Sequence, residues 1–471
     1  MTMKDAEPPG EPLPDIPARI WGIAAVTGAG AFMAMLDSTV ANLAIEPIRA
    51  AFGSTLPLMQ WIATAYLIAL AVSLPAASWL GNRLGYGRVW TGSLMIFTVA
   101  SALCALAPEP WTLIGARFVQ GLAAGLMIPM GQAVIGAVAG PKQLGRLMGA
   151  LGLVISLGPA VGPAFGGVVL DVSSWRWLFW INVPIGLAAL VAARGLVPSG
   201  VKDHERPLDR LGLLLLGLGL PLLLYGTAEV GSEEATPTTI VALVAGGVMV
   251  SWFVFAARTT KYPLIDLSLF RRGTFAAATA TAGLTGANMY GGLLLLPLYL
   301  LLIVGMDASQ AGVMLLAMGL GSAAALYTGG KMTDRFGAGP VAITGSILLV
   351  LTTIPFLLPG VLSTIALAAV FVARGVGIAL AQMPAMTAAY ASVTTEEVGD
   401  ASTLVNIAQR IGGAIGAIVV VVVLAQAGGG SDRASHAWAF TVLAVVSIAT
   451  VVSAVTLQHL DRRSSQKAVA S

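Results

Sequence analysis

Charge is scarce in this chain. Of its 471 residues only 10% are Asp, Glu, Lys or Arg, where a soluble globular chain carries about 25%. That scarcity leaves no stretch polar enough and long enough to form a soluble domain. Cysteine is almost absent. The single Cys104 lies inside an apolar run, which excludes an intrachain disulfide and any zinc site built from several cysteines. Histidine is limited to His204, His436 and His459, all in expected loops or the tail, so no metal site is expected. No glycine-rich loop ends in Gly-Lys-Ser/Thr, which excludes an ATPase motor within the chain. No catalytic signature is present, so the chain reads as a non-enzyme without a cofactor. Its basic residues follow a membrane face rather than one patch, which argues against a nucleic-acid partner.

What fills the chain instead is apolar sequence. Hydrophobic residues make up 57% of it, and the mean hydropathy is +0.87. A bilayer core about 30 Å thick needs roughly 20 apolar residues per helix. Such runs recur fourteen times, near 20–45, 57–80, 89–107, 111–138, 144–170, 175–197, 208–229, 237–257, 273–305, 309–330, 340–359, 362–391, 398–427 and 436–457. The weakest division is Leu358-Pro359-Gly360, between spans eleven and twelve. The first 19 residues are polar and proline-rich. The hydrophobic run after them is too long for a signal peptide and holds Asp37, so it reads as a retained membrane helix.

Positive charge orients the spans. With the N-terminus in the cytoplasm, Arg83, Arg88, Lys142, Arg146, Lys202, Arg206, Arg210, Arg258, Arg271, Arg272, Lys331 and Arg335 fall inside. Arg49, Arg176 and Arg433 fall outside, beside Glu229, Glu233 and Glu234. Both termini are then cytoplasmic. Two long cytoplasmic loops flank spans seven and eight. The expected organisation is a tail over 1–19, a six-helix bundle over 20–197, a two-helix linker region over 198–272, a second six-helix bundle over 273–457, and a tail over 458–471.

The two bundles repeat each other. Asn82-Arg83-Leu84-Gly85 after span two matches Asp334-Arg335-Phe336-Gly337 after span ten. Ala116-Arg117 in span four matches Ala373-Arg374 in span twelve. Duplicated bundles of this kind hold substrate at their shared interface near the midplane. Asp37 is the carboxylate read as lying well inside a span, about 8 residues or roughly 12 Å from its outer end. A charged residue there costs about 2.5–3.5 kcal/mol by insertion scales, and such residues are functional sites by default. Arg117 lies at a similar depth and is its natural partner, either as a proton-coupling pair or as a structural tie between helices. Candidates for the substrate cavity are Asn42, Tyr66, Gln120, Asn288, Tyr290, Arg374, Gln382 and Asn406, each of which has an ordinary helix-to-helix alternative. Span five carries Gly149, Gly158, Gly162, Pro163, Gly166 and Gly167. Glycines 158, 162 and 166 share one helix face, which permits close helix approach. Asn82, Arg83, Gly85, Arg88, Asp334, Arg335 and Gly337 form candidate gating loops, with plain turn chemistry as the alternative.

Together these residues resemble the major facilitator superfamily, and within it the fourteen-helix drug:proton antiporter family. Span five is similar to that family's antiporter motif. Span one resembles its Leu-Asp-x-Thr-Val-x-Asn signature through Leu36, Asp37, Thr39, Val40 and Asn42. Span six carries Trp175-Arg176-Trp177, Asn182 and Pro184-Ile185-Gly186, another family stretch. The resemblance implies a secondary exporter working by alternating access, multi-pass in the bacterial cytoplasmic membrane and monomeric. Its partners would be protons, lipid and an amphipathic, drug-like organic compound, and the proton gradient would supply the energy. An uncoupled facilitator, a dedicated lipid or metabolite exporter, and a non-transporting receptor are the alternatives. Two departures stand out. Asn82 replaces the usual aspartate of the gating loop, so the charge lock that the family places there lacks its loop carboxylate in the first half. Glu46-Pro47 also departs from the usual proline placement.

Overall fold

The computed structural model describes residues 15–140, 142–200, 207–230, 237–358, 362–427 and 433–470. Among them there is no strand. Thirteen described segments are long and apolar enough to cross a membrane. The 29-residue helix Leu144–Val172 supplies the fourteenth.

The first bundle comprises α1 (Ala18–Leu43), the short α2 (Ile45–Phe52), α3 (Leu56–Ser73), α4 (Ala76–Leu84), α5 (Tyr86–Leu106), α6 (Pro110–Val138), α7 (Leu144–Val172), α8 (Trp177–Trp180) and α9 (Asn182–Leu196). Helices α3 and α4 together make the second span, broken at Leu74-Pro75. Proline lacks the backbone donor that would continue the ladder. The linker hairpin is α10 (Arg210–Val230) and α11 (Pro237–Ala257). The second bundle comprises α12 (Gly273–Leu298), α13 (Ala308–Phe336), α14 (Ala338–Thr353), α15 (Thr364–Ala391), α16 (Val398–Gln426) and α17 (Arg433–Ala470). The weak division read at 358–360 is real, since α14 ends at Thr353 and α15 starts at Thr364. Residues 359–361 themselves lie outside the described residues, as do Lys202, Arg206, Glu233 and Glu234.

Two glycines explain the sharp turns of the repeated loops. Gly85 has φ +95° and ψ 132°, and Gly337 has φ +85° and ψ 161°. A side chain rarely adopts that backbone conformation, so each loop turns its helix directly into the next span at the same place in both repeats.

The end of the molecule carrying these loops, with most of the basic residues, is here termed the basic end. There the two bundles share one apolar core. It joins Leu144, Leu147, Met148 and Leu151 of α7 to Met386, Tyr390, Leu404 and Val405 of the second bundle, and takes in Leu215, Leu216 and Leu220 of the linker helix α10. Toward the opposite end the cores are separate. One is built from Leu36, Val40, Met59, Leu113 and Phe179 of the first bundle. The other is built from Leu295, Leu300, Phe356, Phe371 and Phe440 of the second. The halves are therefore joined at the basic end and packed independently at the far one.

Candidate functional site

Five elements of the first bundle converge on Asp37. Its side chain is almost fully buried, at 3% exposure, and Arg117 opposite it is completely buried. The Arg117 Nη1 donates to Asp37 Oδ2. On the other oxygen, Gln120 Nε2 donates from 3.0 Å and Asn182 Nδ2 from 3.1 Å. Ser101 sits behind both amides, accepting from Gln120 at 3.0 Å and from Asn182 at 2.9 Å. It donates in turn to the Phe179 carbonyl at 3.2 Å. Arg117 is held from three further sides. Its Nε donates to the Ile62 carbonyl at 3.1 Å, its Nη1 also reaches Gln120 Oε1 at 2.7 Å, and its plane lies 4.3 Å over the Tyr66 ring.

This geometry restricts what Asp37 can do. All three of its partners are donors, so its two oxygens act as acceptors only, which is the ionised form's pattern. A carboxylate has about four lone-pair sites, so a proton on Oδ1 must displace one of the two amides, whereas one on Oδ2 takes its remaining lone pair and cancels the charge that holds Arg117. Two polar atoms in the same cluster, Arg117 Nη2 and Asn182 Oδ1, are buried without a partner among the described residues. Rotation of the Asn182 amide would replace its donor with that acceptor.

The helix packed against α1 is α7, and its glycines decide the fit. A Cβ added at Gly158 would lie 2.6 Å from Met35 Cβ, one at Gly162 would lie 3.0 Å from Thr39 Cβ, and one at Gly166 would lie 2.9 Å from Val40 Cγ1. These three positions climb α1 on either side of Asp37. Nearer the basic end the same helix meets the second bundle. A Cβ at Gly149 would lie 2.5 Å from the Leu326 carbonyl of α13 and 3.1 Å from Gly330 Cα. Helix α7 is thus clamped to the Asp37 helix along one stretch and to the other bundle along another. Gly167 does not share in this, since a Cβ there would touch nothing within 4 Å. The side chains of Pro159 and Pro163 lie outside the described residues.

Both repeated loops dock across the bundle interface, onto the start of a helix in the opposite half. Asp334 accepts from Gly145 N at 2.7 Å, Arg146 N at 3.1 Å and Arg146 Nε at 2.9 Å. In the other half, Ser78 donates to Asp400 Oδ1 and Asn82 Nδ2 lies 3.4 Å from Asp400 Oδ2. The Tyr86 hydroxyl lies 2.6 Å from both Asn82 Oδ1 and the Glu396 carbonyl. Asn82 thus still meets a carboxylate, supplied by the opposite half. Asp400 stands in α16 where Arg146 stands in α7, each after a glycine near the helix start. The carboxylate has moved from the loop to the helix, and the inter-bundle contact survives with roles exchanged. Asp400 is 4% exposed, so Asp37 is not the only buried carboxylate. The remaining loop residues lie beside this contact: Arg83 over the Trp79 ring, Arg335 over Phe336, and Arg88 near the Leu84 carbonyl at 3.3 Å.

The cavity candidates divide. Tyr66, Gln120, Asn288 and Arg374 are fully buried inside single bundles in this conformation. Tyr66 donates to the Ala34 carbonyl at 3.0 Å, and Asn288 accepts from Ser447 at 2.8 Å. Arg374 donates to Thr353 Oγ1 at 2.9 Å, while its Nε and Nη2 have no partner among the described residues. The Arg117 counterpart in the second half thus lacks the carboxylate. Asn406 does bridge the halves, donating to Gln132 Oε1 at 2.7 Å, where the Tyr390 hydroxyl also donates from 3.1 Å. Gln382 is half-buried, and Asn42 and Tyr290 are exposed. Sequence reasoning missed Ser101, Gln132 and Asp400 as site residues, and took Asn182 only as part of a resemblance. The repeat offset was a signal for Asp400, because it aligns Gly145-Arg146 with Gly399-Asp400.

A family model described as the Major Facilitator Superfamily matches residues 27–417, with a second match over 278–470. The chain is 35% identical over 412 residues to a Multidrug resistance protein B homolog of Mycobacterium tuberculosis, covering 83% of this chain and 74% of that one. It is 33% identical over 424 residues to a Probable actinorhodin transporter of Streptomyces coelicolor, covering 86% and 72%. Among solved structures, the proton:xylose symporter XylE superposes with a TM-score of 0.63 at 13% identity, covering 92% of this chain and 95% of that chain. At that identity the likeness concerns the fold alone.

Proposed function

The chain belongs to the Major Facilitator Superfamily, within its fourteen-helix drug:proton antiporter family, and on that premise we propose that it exports amphipathic organic compounds in exchange for protons. It does so from the bacterial cytoplasmic membrane, with the basic end facing the cytoplasm. Relatives named for multidrug resistance and for actinorhodin transport support an organic substrate. The observation that carries the coupling is the Asp37 cluster, where a buried carboxylate is held by three donors, one of them the Arg117 guanidinium.

In this reading the structure is the outward-facing state, closed at the cytoplasmic end. A proton arriving from outside binds Asp37 and cancels the charge that holds its donors. Arg117 or the Asn182 amide then shifts, and α1 moves relative to the glycine face of α7. Because α7 also grips α13 of the other bundle, that movement reaches the cytoplasmic contact and loosens it. Proton release inside restores the ion pair. Each proton moved down 100 mV supplies about 2.3 kcal/mol, enough for a roughly 50-fold gradient of a neutral substrate.

The test is pH-gradient-driven efflux in proteoliposomes carrying wild type or Asp37→Asn. Wild type should drive substrate uphill and release protons on substrate addition. Asp37→Asn should do neither while still passing substrate downhill. Uphill transport with a normal proton signal in Asp37→Asn would place the coupling site elsewhere.

A further inference from the structure

Three arginines lie deep within spans, and they are treated differently. Arg117 is ion-paired with Asp37, and Arg374 is buried against Thr353. Arg410 is half-buried and has no hydrogen bond or ion pair among the described residues. It lies roughly 18 Å along α16 from Val398 and roughly 24 Å from Gln426, at about 1.5 Å per residue. That is the middle of the span, out of reach of lipid headgroups at either face. An arginine at such depth is expensive and marks a substrate or ion pathway by default.

Its position relative to the halves is well defined. One turn below it on the same face is Asn406, which bonds to Gln132 of the first bundle. The Arg410 face of α16 therefore looks across the seam, just on the far side of the polar contact that closes the basic end. Around it stand Ala71 of α3, Leu74 just past its end, and Leu220, Leu223 and Leu224 of α10. The Tyr66 hydroxyl lies within its electrostatic reach. The carboxylate behind Tyr66 is Asp37, already occupied by three donors. Asp400 sits roughly 15 Å down the same helix and is held by Ser78 and Asn82. Among the described residues the surroundings thus combine one fixed cation with apolar walls and no spare carboxylate.

We infer that Arg410 binds the anionic group of the transported compound, so that the preferred substrate is an amphipathic organic anion bearing a carboxylate or phenolate. This rests on the export reading and narrows its substrate class. The exported molecule supplies the counter-charge that the chain omits, and a cationic drug is disfavoured at the same point.

Two xanthene dyes test this, anionic fluorescein and cationic rhodamine 6G, which share a ring scaffold. Binding is followed by fluorescence anisotropy on the full chain in phosphatidylcholine nanodiscs, and transport by pH-driven efflux in proteoliposomes. Wild type should bind fluorescein at least 10-fold more tightly than rhodamine 6G. Arg410→Gln should weaken fluorescein binding by about 10–100-fold, as expected for a charged hydrogen bond, and leave rhodamine 6G unchanged or tighter. Arg410→Lys should restore part of the fluorescein affinity, which also guards against misfolding of the glutamine variant. Absent fluorescein binding, equal affinity for both dyes, or insensitivity to Arg410→Gln would overturn the inference. Arg410-dependent binding without uphill transport would sustain the inference and count against export instead.

Discussion

Asp334→Ala should open the basic end of the molecule. The carboxylate is 1% exposed and holds the first turn of α7 through two backbone N–H groups and the Arg146 guanidinium. Arg146 is 14% exposed, so water reaches the site once the carboxylate is gone, and the lost contacts count at the low end. Taking about 1 kcal/mol for each N–H and about 1 kcal/mol for the charge at a helix start gives a loss of about 3 kcal/mol. At 1.4 kcal/mol per tenfold, that shifts the closed-to-open equilibrium by about 150-fold. A closed form populated at about 99% would fall to about 40%. The assay is double electron–electron resonance between spin labels at Leu84→Cys and Thr395→Cys, in a Cys104→Ser background. The variant should show a second, longer distance that the parent lacks. Asp334→Asn should be milder, because its amide oxygen still accepts one N–H. Adding Arg146→Asp to Asp334→Asn reproduces the Asn82–Asp400 arrangement of the other half and should recover closure. An Asp334→Ala distance distribution identical to the parent's would refute the reasoning, and failure of the double variant would refute the proposed exchange of roles.

Asp37→Glu should retain partial coupling in the efflux assay, since the acid persists but is displaced from at least one of its three donors. Arg117→Ala should abolish uphill efflux, because removing one partner of a buried ion pair costs about 3–5 kcal/mol and leaves the other uncompensated. Gly162→Leu should insert into the membrane but lose most transport. Its side chain would collide with Thr39, already 3.0 Å from the added Cβ, and overpacking of this kind costs about 1–3 kcal/mol. Full activity would remove any role for that glycine face. A reporter fused after Gly200 should read cytoplasmic, and an external reading would invert the proposed orientation.

The helical architecture was legible because membrane spans announce themselves by length. Runs of about 20 apolar residues admit few other structures. The Asp37–Arg117 pair was legible for a related reason: two opposite charges at one depth in an apolar layer have little choice but to meet. What surrounds them was not. Ser101, Gln132 and Asn182 are small or neutral, and such residues occur in membrane helices wherever a backbone carbonyl is near. Only their placement, with Ser101 bridging the two amides that hold Asp37, separates them from ordinary helix contacts. The glycine face of α7 was visible as a spacing, but which helix it served was not, and one ladder turned out to serve two partners in succession.

The gating loops show a different limit. Asn82 looked like a lost function because a motif records which residue is usual at one position, whereas the physical requirement belongs to a contact. The requirement is a carboxylate buried where a loop of one bundle meets a helix start of the other. Asp334 meets it from the loop and Asp400 from the helix. Asn82 and Asp400 are separated by 318 positions, so nothing local links the apparent defect to its compensation. The exchange also alters the electrostatics. Asp334 receives the α7 start directly, with the macrodipole adding to Arg146. Asp400 already lies within the first turn of α16 and receives Ser78 and Asn82 from outside. One contact closes by bringing charge to a helix start. The other brings Ser78 and Asn82 to a charge the helix carries itself, so its carboxylate stays beside the α16 dipole when the bundles part. The Asp334 contact therefore loses more on opening, and the conformational equilibrium should respond more strongly to Asp334→Asn than to Asn82→Ala.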